Sequence, residues 1–398
     1  MAGLRDDTWA DAPFDNFKPS EATVLLRSSD GRLFRVYKLI LALASEFFKD
    51  MLDLPQPPDC AEEPIDVTEQ GETLELLLRA CYPVVQPDYC NLTDVCEVLA
   101  AATKYDMPRV VADMRAHFRR LARPEPLVAW AAAVKRGLED EAQFAAGQFR
   151  TARCRSAGSD PVPDWHPDVA HVSAGAFRRL EQFCAWQPVV FCAPPVPPPC
   201  RHPPATVGAH PYMLRGADIV LRSTDGHGFR LHKGMLRELS PEFAALVDSA
   251  KGSGAAVPTL SISATGYTLS CLLHLCYPAL SKGRRPLSCI HCMYEVLKLA
   301  VRYKIERAIA RIRSGWDDFS THDKTTGFMA ALVARHMGWN DEVYTAAKNF
   351  LGHAVERQSE GVEDYFPALE DVPAVYYRRL CIEIARQVEG HRRARLRL

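Results

Sequence analysis

The stretch Ala22-Thr-Val-Leu-Leu-Arg-Ser-Ser-Asp-Gly31 returns 195 residues later as Ala217-Asp-Ile-Val-Leu-Arg-Ser-Thr-Asp-Gly226. The same offset carries Cys81-Tyr-Pro83 onto Cys276-Tyr-Pro278 without a gap. A period this long indicates a duplicated domain, since solenoid units are roughly 20 to 50 residues long. The chain of 398 residues is therefore predicted to contain two copies of one domain.

Each copy begins with a hairpin signal. The pairs Asp30-Gly31 and Asp225-Gly226 each separate two short apolar runs, and an Asp-Gly turn of this kind uses the positive φ that glycine adopts easily. Later in each copy, an alternating segment at 65–67 or 260–262 predicts a third strand. Each copy is therefore expected to contain a small β-sheet.

Helices are expected after each hairpin. Ser45 and Ser240 are predicted N-caps, and Pro241 suits the first helical position because an N–H is not needed there. Further along, apolar residues recur at the i, i+3, i+4, i+7 spacing of an amphipathic helix in both copies. These residues are Val95, Val98, Leu99 and Ala102 in the first copy, and Met293, Val296, Leu297 and Ala300 in the second.

The duplication extends into helical segments behind each copy. Gly137-Leu-Glu-Asp-Glu141 resembles Gly338-Trp-Asn-Asp-Glu342, and both follow an Ala-rich run. Between the halves, the nine prolines of residues 187–213 favour a semi-rigid, extended spacer. The predicted organisation is a tail at 1–19, a domain at 20–120, a helical annex at 121–186, a proline-rich linker at 187–213, a second domain at 214–316, and a second annex with a basic tail at 317–398.

Composition excludes several classes of protein. A net charge of -1 creates no long-range field, so we expect neither nucleic acid nor membrane as a partner. No apolar run approaches the roughly 18 residues of a membrane span, and the amino terminus carries no secretory signal. Thirteen cysteines are then expected as reduced thiols, in the cytoplasm, the nucleus or both. The basic run 391–398 is read as a helix end favoured by the helix dipole, with a nuclear localisation signal as the alternative.

No motif supports catalysis, a cofactor or a metal. The chain has no phosphate-binding loop of the Gly-Lys-Ser/Thr type, no Gly-x-Ser-x-Gly elbow and no His-Glu-x-x-His helix. Cys289-Ile-His-Cys292 has no second ligand pair nearby. A second set matches no zinc spacing: Cys184, Cys192, Cys200 and His202. We therefore expect a protein that is not an enzyme. An unrecognised enzyme is the remote alternative, and an apolar pocket with convergent polar groups would be its sign.

The order hairpin, helices, strand, helix, long helix is similar to that of the BTB/POZ domain. Phe229-Arg-Leu-His-Lys233, followed by Leu239-Ser-Pro-Glu-Phe243, resembles that family's phrase of His-Lys, a Leu and Ser-Pro-x-Phe. Asp218-Ile-Val-Leu221 resembles its first strand, whereas the first copy has Thr23 and Tyr37 in place of the Asp and the His. The Cys-Tyr-Pro ending and a later Tyr/Phe-Arg-Arg-Leu segment resemble fungal BTB proteins in particular.

The resemblance implies an α+β fold with two BTB/POZ-like domains, each a short β-sheet packed with helices and followed by an all-α annex. It implies a non-enzymatic scaffold or adaptor for protein partners, with a cullin-3 ubiquitin ligase as a candidate. The alternative is a transcription-associated regulator that recruits corepressors, although no DNA-reading element accompanies the domains. We also expect the two BTB-like domains to pair within one chain, because duplication supplies both halves of an isologous contact.

Three residues of the second copy are predicted interaction residues, because the resemblance puts them near the edge used for association. They are Asp218, His232 and Lys233. A buried carboxylate needs a partner, which favours a contact from Asp218 to one of the other two. The alternative is a solvated ion pair, worth less than about 1 kcal/mol.

Overall fold

The structure is a computed structural model that describes residues 22–54, 63–83, 86–155, 167–194, 216–249, 257–277, 290–316, 324–343, 345–347 and 366–395. Contacts divide the chain into two compact units. One comprises Met1–Val172 and Ala176–Pro194, and the other comprises Ser173–Gly175 and Pro195–Leu398. Both are mixed α+β and mostly helical, with one small sheet each among the described residues.

The first unit contains a three-stranded sheet in the order β2-β1-β3, with β1 and β2 antiparallel and β1 and β3 parallel. Its strands are β1 (Thr23–Arg27), β2 (Leu33–Tyr37) and β3 (Ile65–Asp66). Its helices are α1 (Lys38–Ala44), α2 (Glu46–Asp53), α3 (Gly71–Cys81), α4 (Leu92–Lys104), α5 (Pro108–Ala122), α6 (Pro126–Lys135), α7 (Glu139–Arg155), α8 (Pro167–Ala170) and α9 (Ala174–Cys184), whose first two residues are counted with the other unit.

The second unit repeats this topology, with a sheet in the order β5-β4-β6 that has the same antiparallel and parallel pairings. Its strands are β4 (Ile219–Arg222), β5 (Gly228–Leu231) and β6 (Thr259–Ser261). Its helices are α10 (Lys233–Arg237), α11 (Pro241–Ser249), α12 (Gly266–Cys276), α13 (Ile290–Arg302), α14 (Glu306–Ser314), α15 (Lys324–His336), α16 (Ala368–Asp371) and α17 (Ala374–Arg395).

The predicted Asp-Gly hairpins are confirmed in both units. Gly31 and Gly226 have φ values of +88° and +85°, a region that L side chains rarely adopt. The turn aspartates also tie each hairpin to the helix that follows β3 or β6. Asp30 and Asp225 accept the backbone N–H of the first residue of α3 and α12, at 2.9 and 2.8 Å. The aspartate of the turn therefore has a long-range structural role in each unit.

These contacts give the second unit a predicted dependence on pH. Burial raises the pKa of Asp225, but the carboxylate accepts hydrogen bonds from the Ser223 hydroxyl and the backbone N–H of Gly266, and the His227 ring lies close to it; together these outweigh burial and lower the pKa to about 2. A carboxyl whose pKa is lower in the folded state than its unfolded value of about 3.9 stabilises the fold above about pH 4, and this contribution is lost toward pH 2. We expect Asp225→Asn to lower the melting temperature at pH 7 and to have little effect at pH 2. Equal losses at both pH values would contradict this account.

The predicted N-caps are confirmed as well. The Ser45 hydroxyl accepts the N–H of Phe48 at 3.0 Å, and Ser240 accepts that of Phe243 at 3.1 Å. Ser45 is buried and also donates a hydrogen bond to the backbone carbonyl of Tyr105. The first cap therefore joins α2 to the end of α4, in addition to starting its own helix.

This difference predicts unequal losses for the same substitution. Ser240→Ala removes a cap, which costs about 1 kcal/mol. Ser45→Ala also leaves the buried carbonyl of Tyr105 without this donor, so its total loss should be about 2–3 kcal/mol. Urea unfolding of the two variants measures the difference. A loss for Ser45→Ala no larger than that for Ser240→Ala would show that the second hydrogen bond contributes nothing.

The predicted amphipathic helices supply the apolar core. All eight stripe residues are buried, four on α4 and four on α13. In each unit an arginine then links the sheet-containing part to the helices behind it. Arg115 of α5 contacts Glu141 and Asp140 of α7, each at 2.9 Å, and Arg313 of α14 contacts Glu342 at 2.5 Å. The two glutamates are the last residues of the matching Gly-x-x-Asp-Glu motifs.

The predicted linker and tail lie partly outside the described residues. Residues 187–194 follow α9 within the first unit, and Phe191 among them is fully buried, whereas residues 195–213 lie outside the described part. Helix α17 reaches Arg395, into the basic run. Among the described residues, no helix is both long enough and apolar enough to cross a membrane.

Candidate interaction surface

Large apolar side chains are exposed on α1, on α2 and directly after α2. Leu39 and Leu43 are 69% and 80% exposed, and Phe47 and Leu54 are 47% and 62% exposed. We call these four residues the α1–α2 patch. Isolated apolar residues are common on protein surfaces, but several on two helices that pack together are typical of a surface used for binding.

The local fold explains why these side chains point outward. Leu39 and Leu43 are four residues apart and share one face of α1, while Leu41 between them is buried. On α2, Phe48 enters the core, whereas the adjacent Phe47 lies at the edge of the core, with its ring 5.5 Å from that of Tyr105. The Phe47 ring lies 5.4 Å from that of Phe48, so this part of the patch packs directly on a core side chain.

The second unit carries glycine or glutamate at the equivalent positions. With the offset of 195 residues, Leu39, Leu43 and Phe47 correspond to Gly234, Glu238 and Glu242. Gly234 and Glu238 are exposed, and Glu242 forms an ion pair with Lys304 at 2.5 Å. The two units therefore share a backbone topology but present surfaces of different chemistry at these helices.

The predicted interaction residues lie together at the start of α10. The Asp218 carboxylate accepts the backbone N–H of Lys233 at 2.7 Å, and its Oδ1 lies 4.0 Å from Nδ1 of His232. The side chains of Asp218 and His232 are about half exposed. Asp218 therefore satisfies the first N–H of a helix, and the partner that it uses on Lys233 is the backbone, not the ammonium group.

In the first unit, the first N–H of the corresponding helix α1 has an acceptor that is not a carboxylate. Thr23 is buried at the position of Asp218, and the N–H of Lys38 donates to the carbonyl of Ala22 at 2.9 Å. The exchange of Asp218 for Thr23 is thus compatible with an intact helix start. A role for Asp218, His232 and Lys233 in binding a partner stays a prediction.

The sequences considered for metal binding give no site among the described residues, where no three His, Cys, Asp or Glu side chains form a group that could hold an ion. Cys200, His202 and Cys289 lie outside that part of the chain. Cys184 and Cys192 are half-buried, and burial raises the pKa of both, that of Cys192 to about 12. A thiol with such a pKa stays protonated at neutral pH.

A comparison with protein-family models matches residues 14–120 to the BTB/POZ domain. No curated protein matches the chain. The match confirms the resemblance for the first copy and includes all three strands and the first four helices of the first unit. BTB/POZ domains are generally protein-interaction modules and not enzymes. The α1–α2 patch lies inside this domain.

Proposed function

We propose that the protein is a non-enzymatic scaffold or adaptor that binds other proteins in the cytoplasm, the nucleus or both. The observation that carries this proposal is the α1–α2 patch within a BTB/POZ domain. Burial of apolar surface is worth roughly 25 cal/mol per Å², so a partner that covers Leu39, Leu43 and Phe47 gains affinity from each. Leu39 and Leu43 are mostly exposed, so they contribute little to the fold of the unit itself.

We propose further that residues 214–316 form a second BTB-like domain, and that a helical annex follows each of the two. The support is the repeated sheet order β5-β4-β6, the repeated Ser cap and the repeated Asp-Gly turn. The sequence match at an offset of 195 residues also supports a duplicated domain. On this proposal the two copies have kept one fold and have diverged in the surface of their first helices.

Cullin-3 is the partner that we propose for the adaptor function. The support is a BTB-like domain followed directly by paired helices in each half, an arrangement that resembles known adaptors. One copy would hold the ligase while the other holds a substrate. Calorimetry of the full chain with the cullin amino-terminal region should show binding at tens of micromolar. An absence of heat at that concentration would remove the adaptor version and leave the scaffold version.

Recruitment of a transcriptional corepressor is the second candidate, and it uses the same domains. The apolar chemistry of the α1–α2 patch suits a corepressor peptide as well as a ligase subunit. Affinity purification with mass spectrometry separates the two, because it returns either ubiquitin-ligase subunits or chromatin-associated proteins.

We propose that the two BTB-like copies pair within one chain and leave the α1–α2 patch to a partner. Tethering gives such a contact an effective concentration that can reach about millimolar. Light scattering should then give the mass of one chain, 44.4 kDa, and the halves should co-purify after cleavage in the proline-rich linker. A mass of two chains, or halves that separate, would overturn the pairing.

A further inference from the structure

The segment after α9 folds back onto the first unit. Helix α9 ends at Cys184, and Trp186 adopts a φ of +63°, which reverses the chain. The N–H of Gln187 donates to the carbonyl of Gln182 at 3.0 Å and closes this turn. Residues 187–194, which we call the strap, then run back along the helices of the annex.

One side chain anchors the strap. Phe191 is fully buried, whereas Val190 beside it is 53% exposed and residues 193 and 194 are exposed. The Phe191 ring packs edge-on against Trp130 of α6, with centroids 6.1 Å apart, and against Phe183 of α9 at 5.5 Å. An aromatic pocket therefore holds the one fully buried residue of a segment whose other residues are exposed or partly exposed.

Two charged side chains hold the backbone around that residue. The Glu139 carboxylate accepts the N–H of Phe191 at 2.9 Å and that of Cys192 at 2.8 Å. Arg179, which is almost fully buried, donates to the Phe191 carbonyl through Nε at 3.2 Å and Nη2 at 3.0 Å. These hydrogen bonds involve only main-chain groups, which every segment except one with proline can offer. Selectivity for a particular segment therefore depends on its aromatic side chain.

The described part of the second unit has no counterpart of the strap at the equivalent place in the chain. Asn340 occupies the position of Glu139 in the Gly-x-x-Asp-Glu motif, so the acceptor for two N–H groups is replaced by an amide. The chain also continues as one helix, α17, to Arg395 where the first unit has α9 followed by the strap. In the first unit, the buried indole N–H of Trp130 has no partner among the described residues.

We propose that this pocket is a peptide-binding site for an extended segment with one aromatic side chain, and that the strap occupies it in cis. A partner segment of the same chemistry displaces the strap by offering a ring, two consecutive N–H groups and a carbonyl. Displacement releases the start of the linker from the first unit. The site is separate from the α1–α2 patch, so it gives the scaffold a second and switchable binding surface.

The test uses the full chain with Phe191→Ala and, as probe, a labelled peptide of residues 187–194. The open pocket should bind this peptide at least tenfold more tightly than the wild type does, because the wild-type pocket is occupied. Adding Glu139→Gln to the Phe191→Ala chain should weaken binding at least tenfold, and a peptide with alanine at the phenylalanine position should not bind. A folded Phe191→Ala chain that binds the peptide no better than wild type would overturn the proposal.

If Phe191→Ala does not fold, hydrogen exchange on the wild type tests whether the strap can leave its pocket. An exchangeable strap opens locally, so the amides of Phe191 and Cys192 should exchange at least tenfold faster than those of Ala131–Ala133 in α6. Equal protection would show that the strap is an integral part of the core and would overturn the proposal.

Discussion

Replacing Phe48 by alanine is expected to destabilise the first unit by about 3–5 kcal/mol, the usual loss when a buried phenylalanine is truncated. The ring is 2% exposed and packs against Tyr105 with centroids 4.9 Å apart. The Phe48 ring also packs against Phe47 of the α1–α2 patch. Urea unfolding followed by circular dichroism measures the loss.

Two variants provide controls for this prediction. Phe47→Ala removes the same side chain from the surface and should cost less than about 1 kcal/mol. Phe243→Ala removes the equivalent core ring of the second unit, which packs against Tyr303 at 4.8 Å, and should cost as much as Phe48→Ala. A cost for Phe48→Ala as small as that for Phe47→Ala would contradict the packing described.

Arg115→Met is expected to cost about 2–3 kcal/mol, because it leaves the Glu141 carboxylate, whose side chain is only 7% exposed, without its cationic partner. The value lies below that of a fully buried pair because the arginine is itself 41% exposed. Arg313→Met is the matched control. Glu342 is more exposed, at 16%, so its loss should be smaller. Equal urea midpoints for Arg115→Met and wild type would show that this ion pair adds nothing to the stability of the first unit.

The hairpins, caps and helix stripes could be predicted because each depends on a local signal. An Asp-Gly pair specifies a turn, a serine before a helix specifies a cap, and an i, i+3, i+4, i+7 stripe specifies a buried face. Each signal also occurs twice at a fixed offset, which separates it from chance. The structure shows all of these features at the expected residues in both units.

The α1–α2 patch could not be predicted from one copy. Residues 38–44 are almost uniformly apolar, so the sequence does not tell which side of α1 faces the core. The structure buries Leu41 and exposes Leu39 and Leu43. A comparison of the copies contains the missing signal, since core positions stay apolar in both while Leu43 becomes Glu238.

Contacts between side chains and backbone groups also cannot be predicted from the sequence. The partner of Asp218 is the backbone N–H of Lys233, and any residue at that position would supply it. The anchoring of Phe191 depends in the same way on Glu139, which lies 52 residues earlier in the chain. A proline-rich composition predicted a spacer, and a single aromatic residue within it carried too little signal to reveal an anchored segment.

The proposed function depends most on the α1–α2 patch as a binding surface, and quantitative affinity purification of three full-length chains tests it directly. Leu43→Glu places a charge in the patch without touching the core, so proteins that bind there should be recovered at least tenfold less than with wild type, a loss of about 1.4 kcal/mol or more. Glu238→Gln alters the equivalent position of the second unit and should recover the same proteins as wild type. Unchanged recovery with Leu43→Glu, at an unchanged melting temperature, would show that the patch binds no partner.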